Sequence, residues 1–133
     1  MAVRTFPATL EAFPDASAFL EAELEAADCG MKSMMQIAVA FEELFVNVAH
    51  YAYPGTEGEV TVEITAENGT ARIRLIDGGI PFDPVAKADP DVTLSAEDRD
   101  IGGLGIYMVK RSMDSLDYVY EDGKNKLTFT KAL

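Results

Sequence analysis

The stretch from Met31 to Tyr53 constrains the fold most. It is apolar almost all round a helical period, through Met34, Ile37, Val39, Phe41, Leu44, Phe45, Val48 and Ala49, and Pro54-Gly55 closes it. A helix of that kind is buried on most sides. Four polar residues nevertheless fall on one line along it: Gln36, Glu43, Asn47 and His50, spaced seven, four and three positions apart. A carboxylate, an amide and an imidazole beside a core are costly unless each finds a partner, so the line faces either water, as a solvated helix edge, or a ligand. Glu42, one position round, points elsewhere.

The rest of the chain supplies what packs around this helix. Residues 2–9 read as an edge strand broken by Pro7. Asp15 is expected to cap an amphipathic helix running to about Asp28, with Phe19, Leu20, Leu24 and Ala27 on one face and Gly30 as its stop. Residues 59–67 alternate Val60, Val62, Ile64 and Ala66 with polar side chains, and Asn68-Gly69 provides a two-residue hairpin turn. The return strand carries Ala71, Ile73 and Leu75 inward, with Arg72 and Arg74 placed to answer the glutamates across the ladder. Residues 81–101, rich in proline and acids, read as a mobile loop. Gly102-Gly103-Leu104-Gly105 then opens a short helix with Ile106, Val109 and Met113 inward, and a hairpin around Asp122-Gly123 ends the chain. This order predicts an α+β fold: a two-layer α/β sandwich, its sheet mixed and mainly antiparallel, covered on one face by three helices.

Size and charge narrow the possibilities. The 133 residues, 48% of them hydrophobic, suit a single domain, 1–133. One cysteine, Cys29, excludes an intrachain disulfide framework. With 23 acidic and 11 basic side chains the net charge is -12, which repels a phosphate backbone and an anionic lipid surface alike. Neither a nucleic-acid partner nor a membrane is expected. No export signal or membrane-spanning run is read, and a cytoplasmic location is expected.

Two further stretches carry chemistry. Asp77-Gly78-Gly79-Ile80-Pro81-Phe82-Asp83 places an acid at a strand's end ahead of a tight turn, where a carboxylate can accept a hydrogen bond from an exocyclic amine and Gly79 lets the backbone approach a flat ring. Taken alone it is also an ordinary strand-ending turn. Gly102 to Gly105 offer free backbone N–H groups and a helix dipole to phosphate oxygens. The common phosphate-binding and dinucleotide-binding glycine motifs are both missing. Acids between Asp89 and Asp100 approach calcium-loop spacing, but Leu94 and Asp100 stand where glycine and glutamate are needed. The pairs Met34-Met35 and Phe41-Phe45 are read as core packing.

Glu43-x-x-x-Asn47, then Asp77-x-Gly79-x-Pro81-Phe82-Asp83, then Gly103-x-Gly105, in that order, closely resembles the GHKL ATPase superfamily with its Bergerat (histidine-kinase-like ATPase) fold. The runs around Asn47 and Ala52-Tyr53, and Ile101 to Ile106, are most similar to the anti-sigma-factor serine/threonine kinases, and the resemblance spans essentially the whole chain. It implies ATP and Mg²⁺ as ligands and a mobile ATP lid at about 81–101. Asn47 would reach the metal through its amide oxygen, and Glu43 would be the general base. Asp77 would read the adenine amino group and Gly79 the ring face, with Ile80 beside it. Gly103, Leu104, Gly105 and Ile106 would hold the phosphates, and Thr128 is the nearest match to a threonine that the superfamily places near adenine. Tyr51 stands where these kinases often carry histidine, with His50 one place earlier, and Arg99 is a candidate for the terminal phosphate or for a surface ion pair.

The resemblance thus implies an ATP-dependent serine kinase that phosphorylates a small anti-anti-sigma (STAS-type) protein, sequesters a sigma factor and forms a homodimer. The alternative is a non-catalytic ATP-binding module that switches partners.

Overall fold

Two dipeptides set the hairpins. At Asn68-Gly69 both residues have positive φ (53° and 75°), and the same holds at Asp122-Gly123 (54° and 73°), the conformation that a two-residue turn between twisted strands demands. In the computed structural model, which describes residues 1–84 and 101–133, these turns join β2 (Glu59–Glu67) to β3 (Thr70–Asp77) and β4 (Ser115–Glu121) to β5 (Lys124–Ala132). An N-terminal strand, β1 (Ala2–Pro7), pairs with β2. The sheet order is β1-β2-β3-β5-β4.

The α+β two-layer sandwich is as expected, but every pairing in the sheet is antiparallel, so it is not mixed. The reason lies in the last hairpin. β5 turns back between β3 and β4, which run in the same direction, and so keeps them from pairing as a parallel ladder.

Three helices, α1 (Phe13–Ala26), α2 (Met31–Tyr51) and α3 (Ile101–Ser112), supply the second layer. A 3₁₀ turn, Leu10–Ala12, precedes α1, and the Thr9 side chain accepts the Ala12 N–H at its start. Asp15 is therefore not the cap. It sits in the first turn of a helix that begins two residues earlier with proline near its start, where its charge meets the positive end of the dipole.

The core lies between the layers. Phe41, Phe45, Leu44 and Ile37 of α2 meet Val60, Val62, Ile73, Leu75 and Phe129 of the sheet, all essentially without solvent exposure. Phe13 packs on Phe41 and Phe45 with ring centroids 6.1 and 5.6 Å away. Met34 joins the edge of this cluster, whereas Met35 (64% exposed) and Val39 (62%) face outward, so Met35 is not core and α2 keeps an uncovered strip. Ala66, near the hairpin tip, is also exposed. Arg74 stands opposite Glu63 and pairs with it at 3.8 Å, whereas Arg72 is opposite Thr65, and among the described residues no ion pair joins it to a glutamate across the ladder.

Candidate functional site

A narrow cleft opens between the C-terminal half of α2 and the ends of β3, β4 and β5. Asn47, Asp77, Phe82, Tyr118 and Asn125 line it, over a floor that includes Leu75 and Leu127. The sheet's alternation explains who is there. Asp77 continues the inward series of Ala71, Ile73 and Leu75, and Asn125 continues that of Leu127 and Phe129, so both end up polar and buried at 5% exposure.

These two are partners in the ladder and through their side chains. Asn125 Nδ2 donates to Asp77 Oδ1 at 2.9 Å and to the Ile80 carbonyl at 2.8 Å. Its Oδ1 accepts the Phe82 N–H at 3.2 Å and the Tyr118 hydroxyl. Asp77 Oδ1 also accepts the Gly79 N–H at 2.9 Å, the tight turn expected of this acid. Burial, foremost, holds the Tyr118 phenol above its usual pKa, and nearby Asp83 and Asp77 push it the same way, so the hydroxyl stays protonated and donates.

Gly79 has a second reason to be glycine. A Cβ there would lie 2.6 Å from the Ala52 carbonyl carbon, where the turn crosses the end of α2 and the Ile80 N–H bonds the Ala52 carbonyl at 2.8 Å. Tyr53 braces the same corner. Its hydroxyl donates to the Glu59 carbonyl at 2.6 Å and accepts the Gly78 N–H at 2.8 Å, while its ring lies where a side chain at Gly58 would go. Ile80 and Phe82 are exposed beside it, and the Phe82 ring stacks on Tyr51 with centroids 5.6 Å apart.

On α2, Asn47 lines the cleft, and Glu43, one helical turn earlier, lies beside Asn47 and against α3, outside the cleft lining. Among the described residues the buried Asn47 Nδ2 has no partner at full hydrogen-bond geometry, lying only close enough to the Glu43 carboxylate to favour its charged form. Such an orphaned group fits a polar ligand atom placed against it. Glu43 is half-buried, and its carboxyl is held above the ordinary 4.5, first by burial and then by the neighbouring Glu42 charge, with the nearby Asn47 amide offsetting part of the rise. The carboxylate fills the space that a Cβ at Gly105 would need, which brings α3 directly against it. Gly103 and Leu104 fall in the first turn of that helix, and Ile106 is buried in the core beneath it (4% exposed). The glycines thus lie within the helix, not ahead of it.

Thr128 is set apart from all of these. It lies on the uncovered face of the sheet, where its hydroxyl accepts from Arg74 Nε at 3.1 Å, and the residue beside Asp77 is Asn125. Strand parity explains the difference, because Asn125 is three positions earlier and so faces the cleft. The rule that inward residues recur every second position from Phe129 would have found it. His50 is exposed, its ring 5.9 Å from Tyr51, while Gln36 is half-buried on the same helix. Arg99 and the greater part of the expected lid lie outside the described residues.

Comparisons with known proteins bear on the family and the fold. The family model for the histidine kinase-like ATPase domain matches residues 6–131. The serine-protein kinase RsbW of Listeria monocytogenes is 30% identical over 97 residues, an alignment covering 69% of this chain and 62% of the relative. The serine/threonine-protein kinase BtrW of Bordetella bronchiseptica is 25% identical over 95 residues, covering 71% and 67%. The chain thus spans under two thirds of the length of the Listeria relative. Among solved structures, that of the RsbU and RsbW domains of Rv1364c from Mycobacterium tuberculosis superposes with a TM-score of 0.66 at 18% identity, over 100% of this chain and 33% of that one, a likeness of fold. The chain belongs to the histidine kinase-like ATPase domain family.

Proposed function

We propose that the chain binds Mg-ATP in this cleft, transfers the terminal phosphoryl group to a serine of a small anti-anti-sigma (STAS-type) protein, and otherwise sequesters a sigma factor. The observation that carries the reading is that Asn47 and the buried Asp77 line one cleft, with Glu43 one helical turn from Asn47 and against Gly105, in a chain whose relatives include serine-protein kinases. Asp77 accepts from the adenine amino group. Gly103, Leu104, Gly105 and Ile106 are the residues proposed for the phosphates. The first two fall in the opening turn of α3, where free N–H groups and the helix dipole favour anions. Gly105 lets α3 approach Glu43, and Ile106 anchors the turn in the core.

Asn47 is the residue that would hold the metal. Among the described residues no cluster of three or more acids, histidines or cysteines is present to cage a cation, so Mg²⁺ would take phosphate and water oxygens plus one amide oxygen, with the Asn47 amide turned to present it. When bound, the ion neutralises charge on the phosphate oxygens. Glu43 takes the proton from the serine hydroxyl as that oxygen bonds to the terminal phosphorus, while the bond from phosphorus to the bridging oxygen breaks and ADP leaves. Its raised pKa makes it a stronger base than an exposed glutamate.

The same reading places the protein in the cytoplasm as a homodimer. Among the described residues no helix is long and apolar enough to cross a membrane. The test is incubation with Mg-ATP and a candidate anti-anti-sigma protein, followed by mass spectrometry of the partner. Wild type should add one phosphate to a serine and Glu43→Ala should not, with ATP affinity retained. Nucleotide binding without transfer to any partner would instead identify a partner-switching module.

A further inference from the structure

The side chain of Asn125 is completely committed. It makes two donor and two acceptor bonds, and two of them are to backbone groups of fixed polarity: the Ile80 carbonyl can only accept, and the Phe82 N–H can only donate. Those two settle which end of the amide is nitrogen. The nitrogen therefore has to point at Asp77 Oδ1, at 2.9 Å. The Tyr118 hydroxyl, donating to Oδ1 of Asn125, holds the amide from the other side.

This arrangement has a consequence for Asp77. Among the described residues its recorded donors, the Gly79 N–H and Asn125 Nδ2, both fall on Oδ1. The carboxylate is thereby pinned in rotation, and Oδ2 is the oxygen left to accept from a ligand. An unpinned carboxylate at the same place would turn and meet a donor with either oxygen, or would bind a water in front of an acceptor.

We propose that Asn125 and Tyr118 are positioning residues that set base selectivity, by holding Asp77 with Oδ2 toward an exocyclic amine and against a carbonyl at the same ring position. The inference rests on the nucleotide-binding reading above. It assigns to β4 and β5 a specificity role that the three sequence motifs do not contain.

The experiment compares binding of Mg-ATP and Mg-inosine triphosphate, which carries a carbonyl in place of the amine, by calorimetry at one pH and salt. Wild type should favour ATP on the order of a hundredfold, as a site built for one polar group rejects its opposite. Tyr118→Phe removes one hydroxyl and should narrow that ratio about threefold, and Asn125→Ala about tenfold, through weaker ATP binding with inosine triphosphate affinity nearly unchanged. A loss of both affinities in parallel would show a merely structural role and overturn the proposal. So would an unchanged ratio in Tyr118→Phe, a variant that keeps the ring and hence the packing. Wild type that binds ATP while either contrary result is seen leaves the nucleotide reading standing and this inference refuted. Wild type that binds neither nucleotide refutes both.

Discussion

The Glu43 carboxylate and Gly105 interlock: the side chain of one occupies the place where the other would carry a Cβ. This contact joins α2 to α3 at the point where the proposed base and the proposed phosphate site meet. Two general effects then oppose each other in Gly105→Ala. Alanine in a helix is favoured over glycine by about 1 kcal/mol, whereas forcing a methyl into filled space costs about 1–3 kcal/mol. The obstructing atoms belong to the end of a flexible side chain that can swing aside, so the two effects should nearly cancel and the thermal midpoint of Gly105→Ala should stay close to that of wild type. In a Glu43→Ala background the same substitution should be more stabilising, and a double-mutant cycle measured by thermal unfolding reads the difference.

Glu43 also makes a pH prediction. Its folded-state pKa lies above the ordinary 4.5, so the folded protein binds this proton more tightly than the unfolded chain does. Stability from this group is therefore present at low pH and lost as pH rises from 4.5 through the raised value. Glu43→Gln should remove that loss, gaining stability at neutral pH relative to wild type and gaining nothing well below pH 4.5. The proposed phosphoryl transfer runs the other way. Its acidic limb should lie above 4.5, and Glu43→Gln should slow transfer by about 10²–10⁴-fold in single-turnover kinetics.

The two glycines after Asp77 should differ sharply. Gly79→Ala puts a Cβ against the Ala52 backbone, which cannot move as a flexible side chain does, and should cost about 2–4 kcal/mol or displace the turn. At Gly78 the nearest atoms are 3.8 Å away, and Gly78→Ala should change stability by less than about 1 kcal/mol. Urea denaturation of both variants checks the contrast.

Tyr53→Phe removes the hydroxyl that ties Glu59 to Gly78. The freed groups are not deeply buried and water replaces part of the loss, so the cost should be about 1 kcal/mol. Amide exchange at Gly78 should quicken while that of Phe129, on the core strand, follows only the global change.

Thr128→Val should leave nucleotide affinity within about twofold, because the hydroxyl faces Arg74 across the uncovered side of the sheet. A larger loss would place the cleft on the wrong face.

Much of this was legible from local chemistry. Asn68-Gly69 and Asp122-Gly123 announce their turns because few other dipeptides tolerate two positive φ values. Glu43 and Asn47 share a face because four residues make about one helical turn. The antiparallel insertion of β5 between β3 and β4 left no such mark, since strand order is decided by tertiary packing. Asn125 escaped because it carries no motif. Its role follows only from its register opposite Asp77. Met35 and Val39 look like core in a helix so apolar, but a two-layer sandwich covers α2 on one side only, and their side faces out.

The central claim is that one cleft between α2 and the ends of β3, β4 and β5 holds the nucleotide. Titrating folded wild type, Asn47→Ala and Asp77→Ala with ATP, with and without Mg²⁺, tests it most directly by calorimetry. The account predicts one site per chain, weakened at least tenfold by Asp77→Ala with or without the metal, and weakened by Asn47→Ala chiefly when Mg²⁺ is present. Wild-type affinity in both variants, or no binding heat from wild type in any of these solutions, would contradict it.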